Sequence, residues 1–277
     1  MTTTTLSSSA AAVTGYAGIN GLRMYYETHG DGRPLVLLHG AYMSVDAMQP
    51  LLARLAEGRG VIALESQGHG RTADIDRPIT YEQMADDAAA LMKSLGIHQA
   101  DVLGYSMGGG TALQLAIRHP ERVRRLVVAS ATFRTDGMYP ELVTMIGQMT
   151  ADSFAGSPLE AEYRRLSPHP ERFPELVEKL KTLDTTPQDW PADDIRGVRA
   201  PTLVISSDAD VVRPEHSVEM FRLLGGGPSA DFMGVRNVEL AILPGTSHMG
   251  VIERVDLLMA LVPEFLDREM TPPAAQP

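Results

Sequence analysis

Asp101–Pro120 reads DVLGYSMGGGTALQLAIRHP. Its first residues, with Ala100, form a short apolar run of the kind that makes a buried strand. Its last residues repeat apolar side chains at helical spacing until Pro120 stops the helix. Between the two lies Gly104-Tyr105-Ser106-Met107-Gly108, a G-x-S-x-G pattern with a strand before it and a helix after it. In a Gly-rich chain five residues can match by chance, as a tight turn with an incidental serine. The strand-to-helix context favours a nucleophile. A sharp turn of this kind holds its serine in an unfavourable backbone region, and bulky neighbours two residues away would clash. The turn lifts the hydroxyl clear of the sheet and sets the Met107 N–H at a helix start, where the helix dipole favours a negative oxygen.

The same alternation extends in both directions. Asn20-Gly21 is a hairpin turn signal within INGLRMYYETHG. PLVLLHG and GVIALES read as buried strands, separated by helical spacing over Asp46–Ala56. Thr80–Leu95 reads as an amphipathic helix with Thr80 as its N-cap. VRRLVVASA, APTLVISS and NVELAILPG are further strands, with helices over Pro214–Leu224 and Gly250–Asp267. This order predicts an α/β fold: a mostly parallel sheet flanked by helices and opened by an antiparallel hairpin. Residues 133–190 lack strand periodicity and carry six prolines between short helical stretches, so a helical cap is expected there. The core is then 16–132 plus 191–268, with disordered tails at 1–15 and 269–277.

A serine needs a base, and a base needs an orienting carboxylate. Of eight histidines, His248 follows the last strand in LPGTSHMG, on the side of the sheet where the serine turn lies. Asp208 and Asp210 both leave the strand APTLVISS, and Asp210 is preferred because it directly precedes Val211-Val212-Arg213-Pro214 and a helix. The chain order is then Ser106, Asp210, His248. The loop after the first buried strand, His39-Gly40-Ala41, offers the Ala41 N–H as a second oxyanion donor beside that of Met107, with His39 shaping the loop. Met43, Met138, Met145 and Met149, with Tyr42 and Tyr105, are candidates to line a pocket; ordinary core packing is an equal alternative for each.

In sequence order, LLHG, QGHGRT, GYSMGG, SSDADVVRP and PGTSHMG resemble the α/β-hydrolase superfamily, in its serine-nucleophile, esterase-like branch. The resemblance runs from about Gly21 to Asp267 outside the 133–190 segment. It implies an eight-stranded sheet, a variable cap over the site, and Ser106, Asp210 and His248 as the triad. The superfamily commonly shows D-x-R-G-H-G-x-S after its fourth strand. Here Glu65-Ser66-Gln67-Gly68-His69-Gly70-Arg71-Thr72 departs from it, with glutamate for aspartate and glutamine for arginine. That segment reads as a structural turn.

Composition narrows the partners. With a net charge of −11 and no basic block, nucleic acid and anionic membranes are not expected as partners. The chain has no cysteine, which removes disulfides, thiolate metal sites and a cysteine nucleophile and suits a cytoplasmic setting. No metal or cofactor is expected. Gly68–Ala73 mimics a dinucleotide motif without a helix to follow, and the pairs Asp86-Asp87 and Asp193-Asp194 read as solvated surface. The expected function is hydrolysis of a small-to-medium, uncharged carboxylic ester through an acyl-enzyme. The alternatives are the same triad acting on a C–C bond or enol-lactone, or in acyl transfer, and a ligand sensor without turnover.

Overall fold

A computed structural model describes residues 12–269. Eight strands form one sheet: β1 Val13–Ile19, β2 Leu22–His29, β3 Pro34–Leu38, β4 Gly60–Leu64, β5 Ala100–Tyr105, β6 Val123–Ala129, β7 Thr202–Ala209 and β8 Val238–Ser247. Their spatial order is β1-β2-β4-β3-β5-β6-β7-β8, with β2 antiparallel to both neighbours and all later pairs parallel. The hairpin turns at Asn20 and Gly21, both at positive φ (48° and 88°), as a tight two-residue turn requires.

The helices are α1 Gln49–Leu55, α2 Tyr81–Ser94, α3 Met107–Arg118, α4 Pro140–Gln148, α5 Pro158–Leu166, α6 Phe173–Thr185, α7 Ala192–Arg196, α8 Pro214–Leu223, α9 Ala230–Met233, α10 Gly250–Glu253 and α11 Val255–Asp267. Thr80 caps α2, its hydroxyl accepting the Gln83 N–H at 3.1 Å. Strand residues alternate between two cores because strand side chains alternate between faces. Val36, Leu38, Ile62, Leu64 and Val102 pack with α2 and α3. Leu35, Leu37, Val61, Ala63 and Leu103 pack with α1 and α11. A third cluster joins Met107 to Phe154, Tyr163, Phe173, Leu176 and Leu180, so α5 and α6 sit against the start of α3. None of the described helices is long and apolar enough to cross a membrane.

Two boundaries differ from expectation. The sheet begins at Val13, inside the stretch expected to be a tail up to residue 15, because Val13 and Thr14 continue the ladder opposite Thr28 and Glu27. Residues 1–11 and 270–277 of the two expected tails lie outside the described residues. The last helix is broken at Arg254, whose φ/ψ of −79°/52° is not helical. Its guanidinium reaches back to the Thr246 hydroxyl at 2.9 Å, tying the break to the loop that carries His248.

Candidate active site

Ser106 directly follows β5 and N-caps α3 at φ/ψ 55°/−119°, a conformation that costs a non-glycine residue roughly 1–3 kcal/mol. Its N–H donates to the Ala129 carbonyl at 2.8 Å, and its own carbonyl accepts from Gly109 and Gly110 at 2.8 and 3.0 Å. The flanking glycines are sterically required. A Cβ on Gly104 would strike the Gly108 carbonyl, and one on Gly108 would strike that of Leu38. Met107 is the first residue of α3, so its N–H has no partner within the helix.

His248 follows β8, and its Nε2 lies 2.9 Å from the Ser106 hydroxyl. Its Nδ1 lies 2.6 Å from Asp210 Oδ1. A carboxylate only accepts, so Nδ1 carries the proton and Nε2 is left to accept from the serine. Two groups hold this loop. The Tyr105 hydroxyl donates to the His248 carbonyl at 2.9 Å. The exposed Asp208 carboxylate accepts the Gly245 and Thr246 N–H groups at 2.9 and 3.2 Å. The two acids that the sequence sets side by side thus have different neighbours: Asp210 meets the imidazole and Asp208 meets the backbone just before it.

Asp210 is buried, just past β7, and accepts four donors. Besides His248 these are the Ser130 hydroxyl at 2.6 Å, the Ser207 hydroxyl at 3.1 Å and the Val212 N–H at 3.3 Å. Burial alone would raise its pKa, but the bonds from His248, Ser130 and Val212 hold the carboxyl below the usual aspartate range. Ser130 was not foreseen from the sequence. It follows β6 at φ 52°, and the available signal was a serine directly past a parallel strand at the Ser106 edge of the sheet.

Ala41 and Met107 both border the same cavity as Ser106. The Ala41 loop is clamped by His39. This buried imidazole donates from Nδ1 to the Gly40 carbonyl at 2.7 Å and accepts the Ser66 N–H on Nε2 at 3.1 Å. The Glu65–Thr72 segment is an internally bonded turn. Glu65 is fully buried and accepts the Val45 N–H at 3.3 Å, the Arg71 N–H, and the Arg71 guanidinium at 2.6 Å. Gln67 donates to Asp74 and to the Ile75 and Arg77 carbonyls. The acidic pairs are tied to arginines: Asp86 to Arg118, Asp87 to Arg77 and Asp193 to Arg196. Among the described residues no cluster of three or more His, Asp or Glu side chains could hold a metal ion.

The cavity measures about 290 Å³ and opens onto Ser106 and His248. Tyr42, Met43, Tyr105, Met138, Met145 and Met149 all border it. They do so unequally. Met43 and Tyr105 are buried and pack into the sheet core, whereas Met145 is 48% exposed on α4. Tyr42, at φ 63°, stacks 4.6 Å from Phe154. The sequence offered no sign of one further lining residue, the half-buried Asp184 of α6.

A family profile described as the α/β hydrolase fold matches residues 33–187, more than half of the chain. The chain belongs to the α/β-hydrolase family. This α/β hydrolase is 41% identical over 112 residues to a 2-hydroxymuconate semialdehyde hydrolase of a Pseudomonas species, a match covering 39% of this chain and 40% of that one. It is 26% identical to a non-heme haloperoxidase of Rhodococcus erythropolis over 90% of this chain and 97% of that one. The relatives matched at 34–42% identity are thus covered over less than half of their own length. Among solved structures, the meta-cleavage product hydrolase of Pseudomonas fluorescens superposes with a TM-score of 0.72 at 22% identity, covering 92% of this chain and 97% of the other. The enol-lactonase of Burkholderia xenovorans superposes at 0.69 and 24% identity, covering 91% and 100%. At these identities the superpositions establish the fold alone.

Proposed function

We propose that this α/β hydrolase is a serine hydrolase that cleaves a small-to-medium carboxylic ester through an acyl-enzyme. The observation that carries the proposal is the unbroken run of hydrogen bonds from Ser106 through His248 to Asp210, at 2.9 and 2.6 Å. In the first step His248 Nε2 takes the serine proton as Oγ attacks the ester carbonyl. Asp210 holds the imidazole in its Nδ1–H tautomer and stabilises the imidazolium that forms. The N–H groups of Met107 and Ala41 receive the negative charge on the carbonyl oxygen; a single donor of this type typically contributes about 2.7–4 kcal/mol. The imidazolium then protonates the departing alkoxide. Water, deprotonated by His248, attacks the acyl-enzyme and releases the acid.

Helices α4 to α6 act as the cap in this reading. Leu142, Met145, Ile146 and Met149 give the cavity an apolar wall. Flexible thioethers there accept varied hydrocarbon shapes. No step calls on a metal or cofactor, and the cysteine-free composition suits the cytoplasm. A second reading keeps the same three residues and changes the bond to C–C or lactone. It is favoured by the 41% identity to a 2-hydroxymuconate semialdehyde hydrolase.

The test is labelling with a fluorophosphonate and turnover of a panel of chromogenic esters, lactones and vinylogous diketones, on the wild type and on Ser106→Ala. The expected result is a single adduct at Ser106 and ester turnover, both abolished in the variant. Folded protein that neither labels nor turns over any panel member refutes the proposal. Turnover confined to diketones or lactones selects the second reading.

A further inference from the structure

Among the described residues Asp184 is the one carboxylate that borders the cavity. It lies in the last turn of α6, where the negative end of the helix dipole disfavours an anion, and no basic residue shares that turn. No Lys or Arg is among the residues lining the cavity. Among the described residues the carboxylate has no hydrogen-bond or ion-pair partner, in contrast to Asp86, Asp87 and Asp193. The hydroxyls of Tyr42 and Tyr81 have none either, and both rings border the same space within electrostatic range of Asp184. One wall of an otherwise methionine- and leucine-lined cavity is therefore acidic and open to whatever occupies the cavity.

We propose that Asp184 recognises a protonated amine on the substrate, so that the preferred esters carry an ammonium group. This rests on the ester-hydrolase reading above and replaces the uncharged ester expected from the sequence. A half-buried charge is costly unless it is paired. Here the protein supplies no Lys or Arg, only the imidazole of His248 within electrostatic range, and an ammonium on the ligand would complete the pairing. A neutral donor such as a hydroxyl would satisfy one lone pair and leave the charge uncompensated. Burial pushes the Asp184 carboxyl up to about 6, against the opposing influence of His248, and an ammonium beside it would favour the ionised form. Tyr42 and Tyr81 border the same space, and aromatic rings attract alkylammonium groups. The net charge of −11 draws cations toward the protein from solution.

The experiment uses matched esters that differ only in a terminal dimethylammonium or its neutral isostere, isopropyl. One pair carries the difference on the acyl side and another on the alcohol side. The readout is the ratio of kcat/KM within each pair for the wild type, Asp184→Asn and Asp184→Leu. In one pair the wild type should favour the ammonium about tenfold or more, as expected of a charge-assisted hydrogen bond in a poorly solvated site. Both variants should bring that ratio to about one or below. A wild-type ratio near one in both pairs overturns the inference, as does a preference that survives in both variants. Equal losses on both members of a pair also overturn it, since they would mean that Asp184 acts through His248. Binding of the same pairs to Ser106→Ala, measured by calorimetry, separates the two claims. Preferential binding of the ammonium member without turnover by the wild type would keep Asp184 as the amine site and remove the hydrolase reading. Turnover without preference would do the reverse.

Discussion

Replacing Asp210 by asparagine keeps the shape of the side chain and removes its charge. The carboxylate accepts four donors, from His248, Ser130, Ser207 and Val212. A carboxamide can accept on one atom only. His248 and the Val212 N–H both meet Oδ1, and both serine hydroxyls meet Oδ2. With its oxygen at the Oδ1 position asparagine keeps the Nδ1–H tautomer, and the serine hydroxyls rotate to accept from its NH₂ group. What is lost is the negative charge beside the imidazolium that forms during the reaction. A neighbouring opposite charge favours an ionised group by about 10- to 1000-fold, so kcat should fall about 10²-fold, or about 2.7 kcal/mol of barrier. Asp208→Ala is the control. Asp208 is solvent-exposed and bonds only to the backbone of Gly245 and Thr246, so it should cost less than about tenfold, through loop position alone. The assay is kcat for a chromogenic ester at about pH 8, where a free imidazole is neutral, normalised by active-site titration with a fluorophosphonate. If Asp208→Ala loses as much as Asp210→Asn, or if Asp210→Asn stays within tenfold of wild type, the assignment of the orienting acid is wrong.

Ser130→Ala removes a 2.6 Å bond to Asp210; kcat should fall about tenfold with KM nearly unchanged, and an equal rise in KM would contradict a role confined to orienting the acid. Ser106→Gly should raise stability in urea by about 1–3 kcal/mol as the strained φ of 55° becomes permissible; a loss of stability would show that the turn stores no strain. Gly108→Ala pushes a methyl group into the Leu38 and His39 carbonyls and should cost about 3 kcal/mol or more, read as a lowered urea midpoint. The pH dependence of stability follows from three buried histidines. Burial lowers His39 to about 4, His69 to about 3 and His216 to about 4. Each stays neutral in the folded state while the unfolded chain takes up a proton. Their contribution is therefore complete above about pH 6.5 and is lost as the pH falls toward about 4. Burial also raises four carboxyls, Glu65 to about 7, Asp184 to about 6, and Asp101 and Glu239 in the same direction, and these act in the opposite sense. Removing one histidine isolates its share: the fall in Tm from about pH 6.5 to about pH 4.5 should be smaller in His216→Gln than in the wild type, and an equal or larger fall refutes the assignment.

The Ser106 turn was legible because it imposes a backbone requirement on five consecutive residues, Gly104 to Gly108. His248 was legible from position, as the histidine of the loop leaving the last strand. Asp210 and Asp208 were harder to separate, since both leave β7 together and only the fold decides which faces the imidazole. The strands were readable where a parallel sheet demands unbroken apolar runs, as in β3 and β5. The start of β1 was not, because most of VTGYAGI is at least partly exposed and is held by its ladder with β2 rather than by burial. The break at Arg254 was equally hidden, since it depends on Thr246 eight residues earlier. Ser130 carries only the weak signature of a serine directly past a parallel strand, and Asp184 carries none. One acts through a φ of 52° beside a distant strand, and the other reaches the cavity from a helix whose tertiary placement no periodicity records.

Tyr105 has a consequence beyond filling space. Its ring is embedded between sheet and helices beside the serine, while its hydroxyl grips the main chain of the histidine. Two strands, β6 and β7, separate Ser106 from His248 in the sheet. A rigid aromatic strut rooted next to one and bonded to the other couples their positions across that gap. In the proposed reaction their alignment then depends on how firmly this phenol is seated, together with the Asp208 bonds to Gly245 and Thr246.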